Sequence, residues 1–222
     1  MGKESEVKRS YWDNGQLFEE VPLKNGIEEG RLTRWHSNGA RDREVHYKNG
    51  KKDGLETEWH LLYGDDLFLI NYVLKLADPK KRQINYKNGK KDGLETWWYK
   101  PSRSFDDLKE REVHYKNGKE EGLETRWYNN GGKDSEEHYK NGIKEGRSTV
   151  WYQIGEKKSE VHFKNGKEEG LCVGWYESGE KEMEVHYKNG KEEGLETHWH
   201  YTGEKYSEVL WKNGKKEGLE TW

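Results

Sequence analysis

The sequence predicts an all-β repeat array built from hairpins, and three observations predict it. The triplet Lys-Asn-Gly occurs eight times, with Asn at 25, 49, 88, 117, 141, 165, 189 and 213. Five of the seven spacings are 24 residues, a fixed period that marks a repeat architecture. Between the triplets, apolar and polar residues alternate with period two, the pattern of a half-exposed strand. A second glycine follows each triplet by four residues, from Gly26/Gly30 to Gly214/Gly218.

The unit is read best at Glu112–Tyr128. In Glu112-Val113-His114-Tyr115-Lys116, Val113 and Tyr115 share a face. In Leu123-Glu124-Thr125-Arg126-Trp127, Leu123, Thr125 and Trp127 share a face. Asn-Gly between two such runs is a strong hairpin signal, because both central residues of a type I′ turn need positive φ. A two-residue turn alone would set Glu112 opposite Leu123, with mismatched faces. One extra residue at Gly122, held as a β-bulge, brings Leu123 opposite Val113. On that reading one face carries Val, Tyr, Leu, Thr and Trp, and the other carries Glu, His and Lys. A second turn after each Trp-Tyr carries its own glycine, among them Gly15, Gly39, Gly131, Gly155, Gly179 and Gly203.

This NGKxxG core with aromatic strands resembles MORN repeats, and in particular the variant repeat of bacterial antitoxins of the YwqK type. The unit departs from the standard repeat at Leu123-Glu124, where that repeat has a second glycine. The resemblance implies an elongated, twisted, single-layer antiparallel sheet used as a binding surface. It implies a protein partner, in its specific form a toxin held by an antitoxin or immunity protein. The alternative is an assembly scaffold at a membrane surface with lipid or cytoskeletal partners. Eight two-stranded units make roughly 16 strands, and a sheet of that width twists. The expected organisation is one array over residues 1–222, with insertions near 61–81 and 99–110.

Composition agrees with a folded chain of this kind. Charged residues reach 37% and Leu, Ile, Val and Phe total only 36, a level that alone suggests disorder. Net charge is only −3, however, and there are 11 Trp and 14 Tyr, which disordered chains lack. The balance of charge excludes general nucleic-acid binding, which wants a basic excess. The single cysteine, Cys172, forms no intrachain disulfide. No apolar run approaches the roughly 18 residues of a membrane helix, and the first ten residues lack a signal-peptide core. The expected location is cytoplasmic, with membrane binding disfavoured and oligomeric state open.

No enzyme is expected. Glutamates recur in every unit, whereas catalysis needs one perturbed group in a cleft. Cys172 stands where other units have Glu56, Glu95, Glu124, Glu196 and Glu220, with no His or Asp arranged around it. His46, His114, His138, His162 and His186 form a ladder. Equivalent strands lie roughly 9.6 Å apart, too far for successive rungs to share a zinc ion, so cross-strand Glu–His pairing is expected and no metal or cofactor. The lysines of the Lys-Asn-Gly-Lys turns line one margin, beside acidic residues that cancel most of their charge.

The insertions are the non-repeating part. Residues 67–81 are the most aliphatic segment and follow Trp59. They read as a short helix capped by Asp65 or Asp66 and ended by Pro79, or as a strand with Phe68, Ile70, Tyr72, Leu74 and Leu76 on one side. The second insertion follows Trp98 and brings Phe105. Both leave the same margin, so Trp59, Phe68, Ile70, Tyr72, Leu74, Trp97, Trp98 and Phe105 form the candidate partner-binding patch.

Overall fold

A computed structural model describes residues 4–62, 79–101 and 108–218. Among these the fold is all-β, with 21 strands in antiparallel sheet and no helix. The chain divides into two compact units, Met1–Lys119 and Glu120–Trp222.

The first unit runs through β1 (Ser5–Tyr11), β2 (Leu17–Lys24), β3 (Ile27–Glu28), β4 (Gly30–Trp35), β5 (Arg41–Lys48), β6 (Lys51–Trp59), β7 (Lys80–Lys87), β8 (Lys90–Trp98) and β9 (Lys109–Lys116). Strands adjacent in sequence pair, except that β3 and β4 both pair with β2. The second begins within β10 (Lys119–Trp127). It continues through β11 (Lys133–Lys140), β12 (Ile143–Lys144), β13 (Gly146–Trp151), β14 (Lys157–Lys164), β15 (Lys167–Glu168), β16 (Gly170–Trp175), β17 (Lys181–Lys188), β18 (Lys191–Glu192), β19 (Gly194–Trp199), β20 (Lys205–Lys212) and β21 (Lys215–Lys216). Its ladders follow the same order. The count exceeds the expected one because several second strands break at the bulge, as β12 and β13 do around Glu145.

The turns are those the sequence predicts. All eight triplet asparagines have φ between 51° and 55°, and the glycine after each is also positive, the signature of a type I′ turn. The second glycine is left-handed too, as at Gly54 (116°) and Gly194 (90°).

The register differs from the expected one by a single residue, and that residue exchanges faces. In the β5–β6 hairpin Tyr47 pairs with Lys52, but Val45 pairs with Glu56. His46 therefore faces three residues, Asp53, Gly54 and Leu55, and the bulge inserts two residues rather than one. The β11 hairpin does the same, with Tyr139 opposite Lys144 and Ser135 opposite Val150. A shift of two keeps the Glu, not the Leu, on the face of Val45. Val45, Ile84, Val113 and Val185 are at most 1% exposed, and Glu56, Glu95 and Glu124 at most 2%. Leu55, Leu94, Leu123, Leu171 and Leu195 lie outside, at 37–47%. The expected face of Val, Tyr, Leu, Thr and Trp together is thus corrected. The Thr residues, Thr57 and Thr96 among them, are buried, but on the face opposite Val45 beside cross-strand Gln83 and Glu112.

Each hairpin is latched to the one before it. The acidic residue ahead of each bulge glycine accepts the N–H of the next turn's asparagine. Asn49, Asn88 and Asn117 donate to Glu29, Asp53 and Asp92 at 2.7, 2.9 and 3.1 Å. In the second unit Asn141, Asn165, Asn189 and Asn213 donate to Glu121, Glu145, Glu169 and Glu193 at 2.7–2.8 Å. The turn glycine adds a backbone bond, for example Gly190 N–H to the Glu168 carbonyl at 2.9 Å. The Tyr that starts the other turn reaches forward: the Tyr128, Tyr152 and Tyr176 hydroxyls donate to the carbonyls of Trp151, Trp175 and Trp199 at 2.7–2.8 Å.

An added Cβ at Gly194 would meet nothing within 4 Å, so only its φ of 90° forbids a side chain. Gly194→Ala should cost about 1–2 kcal/mol in urea denaturation, the penalty of a left-handed L-residue. Gly194→Asn should cost less although Asn is larger, because Asn tolerates this region. A larger loss for Asn would show that space, not backbone conformation, selects the glycine.

Candidate functional site

Of the eight residues expected to form the partner patch, Trp59, Trp97 and Trp98 are described. Phe68, Ile70, Tyr72, Leu74 and Phe105 lie outside the described residues, as does all but Pro79 of the helix or strand expected over 65–79. Trp59 and Trp98 hold equivalent places at the ends of β6 and β8, each after a one-residue register shift. Trp59 is buried, with the Arg41 guanidinium 4.7 Å from its ring centre. The Lys80 ammonium lies 5.6 Å from the Trp98 ring. Because side chains alternate along a strand, Trp97 projects to the other face, with Arg82 5.2 Å from its ring. Its indole nitrogen is buried and has no hydrogen-bond partner among the described residues. The structure thus brings Trp59 and Trp98 to one margin and separates Trp97 from them.

His60 joins the bases of the two insertions. Its backbone N–H donates to the Pro79 carbonyl at 2.9 Å, where an ordinary turn has His36 N–H to Ala40. Its Nε2 lies 3.0 Å from the Trp98 carbonyl, so Nε2 carries the proton. Tyr99 N–H closes the second insertion on the Leu108 carbonyl at 2.9 Å. Burial of His60, with Lys81 and Lys100 nearby, outweighs the Trp98 bond and holds the imidazole below its ordinary range.

A second site in the same unit was not legible as a site. Cross-strand pairing lines up Leu32, Val45, Glu56, Ile84, Glu95 and Val113 in one row. The adjacent row is Arg34, Arg43, Glu58, Arg82, Trp97 and Arg111. The Glu56 carboxylate is held by Arg43 at 2.8 Å, Arg82 at 2.7 Å and Lys52 at 2.6 Å. Arg82 also reaches Glu58 at 3.0 Å and Glu95 at 3.3 Å. Lys91 binds Glu95 at 2.9 Å, and Arg111 lies 4.0 Å away. Burial pushes the Glu56 carboxyl up, but Lys52, Arg43 and Arg82 outweigh it and hold the group below its ordinary value of 4.5. The same carboxylates outweigh the burial of Arg82 and raise its guanidinium.

The corresponding positions of the second unit carry other chemistry. Glu124 is held by Arg126 at 2.8 Å. Glu137 takes the Tyr139 hydroxyl at 2.7 Å and Lys144 at 2.6 Å, and burial with this bond pushes the phenol up. Glu196 is shared between His198 and the Trp211 indole. Cys172 takes the glutamate's place opposite Val185, and burial raises its thiol. No Arg or Lys stands across from it: the neighbouring row reads Ser159, Gly174 and Met183.

The histidine ladder is corrected by the same register. Its cross-strand partners are Arg31 for His46, Leu94 for His114, Leu123 for His138, Arg147 for His162 and Leu171 for His186. None is a glutamate, because the two-residue bulge turns the expected carboxylate to the opposite face.

The molecule is therefore an antiparallel β-hairpin repeat protein whose hairpins are latched turn to turn. Three of its stretches, residues 7–25, 120–141 and 168–189, match the family described as MORN repeat variant. Each match ends on the asparagine of a type I′ turn, Asn25, Asn141 or Asn189, so the family's unit spans a second strand, the Gly turn and the next first strand. No curated protein matches the chain.

Glu56 has a lowered carboxyl, so its stabilising effect is present above the unfolded value near 4.5 and is lost as pH falls through the lower folded value. Glu56→Gln should melt lower than wild type at pH 7, and the gap should narrow steadily below about pH 4.5. A gap that stays constant into acid would contradict the ionised, triply held carboxylate. Arg82→Met should destabilise by about 3 kcal/mol in denaturant titration, since it strips one cation from two buried carboxylates. A change below about 0.5 kcal/mol, the scale of ordinary surface substitutions, would show that Arg82 holds nothing.

Proposed function

We propose that the protein is a non-catalytic binding scaffold that presents repeated sheet faces to a protein partner in the cytoplasm. In its specific form the partner is a toxin, which the scaffold sequesters as an antitoxin or immunity protein. The observation that carries the scaffold reading is the latch. Seven carboxylates and seven turn amides fix successive hairpins to one another, so exposed rows of side chains are held in register with little left to order on binding. The antitoxin reading is supported by the likeness of the NGKxxG unit to YwqK-type repeats. The margin at the joined bases of the insertions, beside buried Trp59 and half-buried Trp98, is the place where such a partner would find a surface that the repeats do not duplicate.

Co-expression with a growth-inhibiting neighbour gene tests this directly. Wild type should restore growth and co-purify with that gene's product in a stoichiometric complex. Sedimentation with anionic vesicles in place of a protein complex would contradict the reading and favour the membrane scaffold.

A further inference from the structure

The eight Asn-Gly turns share one local sequence, Lys-Asn-Gly, and seven of them are held in the same way. In those seven a carboxylate accepts the asparagine N–H. The glycine N–H donates to a backbone carbonyl of the preceding hairpin at 2.7–3.0 Å, from Gly50 on Glu28 to Gly214 on Glu192. The turn of Asn25 and Gly26 is the exception. Ser5 stands 20 residues before Asn25, as Glu29 stands 20 before Asn49, so the side chain that would accept the asparagine N–H is not a carboxylate. The Asn25 N–H donates instead to the Glu4 carbonyl at 3.0 Å, the carbonyl equivalent to the one that holds the glycine in the other turns. Gly26 N–H has no hydrogen-bond partner among the described residues.

The same turn is the more open one. Asn25 and Gly26 are exposed, and an added Cβ at Gly26 would meet nothing within 4 Å. At Gly50, Gly166, Gly190 and Gly214 it would lie 3.1–3.5 Å from side chains of the preceding hairpin. Asn213 keeps both bonds in the last described hairpin, so nearness to an end of the sheet does not by itself loosen a turn.

We infer that Asn25–Gly26 is a self-modification site, at which asparagine converts to isoaspartate while the other seven turns persist. The Gly26 backbone nitrogen bonds to Asn25 Cγ, and the Cγ–Nδ2 bond breaks. Ammonia leaves, taking up the proton from the Gly26 nitrogen, and a five-membered succinimide remains. Water then opens that ring at one carbonyl or the other, to isoaspartate or aspartate. A left-handed asparagine holds the next nitrogen on the far side of its Cα–C bond from Cβ, so the ring closes only when the turn opens. Opening swings the glycine N–H away from its acceptor. Seven turns oppose that motion with the carbonyl bond and the carboxylate latch, and at Gly26 there is no such bond to break. Isoaspartate adds a methylene to the main chain. Positions 25 and 26 then no longer fit a two-residue turn, and the Leu23–Glu28 and Lys24–Ile27 pairs lose their register. The site therefore makes the first hairpin the part of the array that ages.

Peptide mapping by mass spectrometry, after long incubation of the full chain at mildly alkaline pH, reads each site separately. Asn25 should convert about tenfold faster or more than the other seven, the scale set by one charge-assisted hydrogen bond. Isoaspartate-specific carboxyl methylation should label the peptide carrying position 25 first. In concentrated urea the eight rates should converge, since the local sequence is shared. Glu169→Ala removes the carboxylate that holds Asn189 and should speed conversion there alone. Glu169→Gln, which keeps the shape of the side chain, is measured beside it in case alanine unfolds the chain and raises all eight rates. Equal rates in the folded protein would overturn the inference, as would an Asn25 that stays fastest in urea. So would an Asn189 that keeps pace with the other latched turns in both variants.

Discussion

The structure depends on one local constraint, the offset that follows each Asn-Gly turn. A type I′ turn starts the two strands in step, and a bulge at the next glycine then slips the return strand by two residues. Because side chains alternate with period two, an even slip preserves the facing that an odd slip would reverse. Everything else follows from that parity. Glu56 comes to lie against Val45 and Ile84, Leu55 comes to lie outside, and the acidic residue at the slip is left free to hold the next turn. The bulge glycine is thus the point where turn geometry, core composition and contact between repeats are set together.

A core assembled this way is unusual in holding carboxylates beside valines. The desolvation of a buried charge is severe unless it is paired. The first unit meets that requirement with Arg43, Arg82, Lys52 and Lys91 around Glu56 and Glu95. The second unit has fewer arginines in the neighbouring row, and it answers differently at each position. Glu137 recruits a tyrosine hydroxyl and a lysine, Glu196 an imidazole and an indole, and at 172 the carboxylate is replaced by a thiol.

Much of this was legible in the sequence. The triplet and its period gave the hairpins, the positive φ of Asn and Gly, and the position of the bulge. The insertions were expected near 61–81 and 99–110, and backbone hydrogen bonds join His60 to Pro79 and Tyr99 to Leu108 at their bases. The size of the bulge was not legible, since glycine at 122 permits either slip. Hydrophobicity then misled, because it placed Leu123 inside with Val113. The usable signal was cationic: Arg43, Arg82 and Arg111 recur two residues before Val45, Ile84 and Val113, on the same face of their strands. A buried acid needs such partners, and a solvated one does not. The histidine ladder was misread for the same reason, since its expected partners were assigned from the wrong parity. Part of the expected partner patch, from Phe68 to Leu74 and at Phe105, lies outside the described residues, so only its tryptophans could be placed.

The account's central claim is that Leu is out and Glu is in. Hydroxyl-radical footprinting read by mass spectrometry tests it without altering the protein. Leu123, Leu171 and Leu195 should be modified at rates close to those of the urea-unfolded chain. Val113 and Val185 should be strongly protected. If the three leucines are instead protected as fully as the two valines, the slip is one residue, and the buried glutamate row and the exposed leucines both fall.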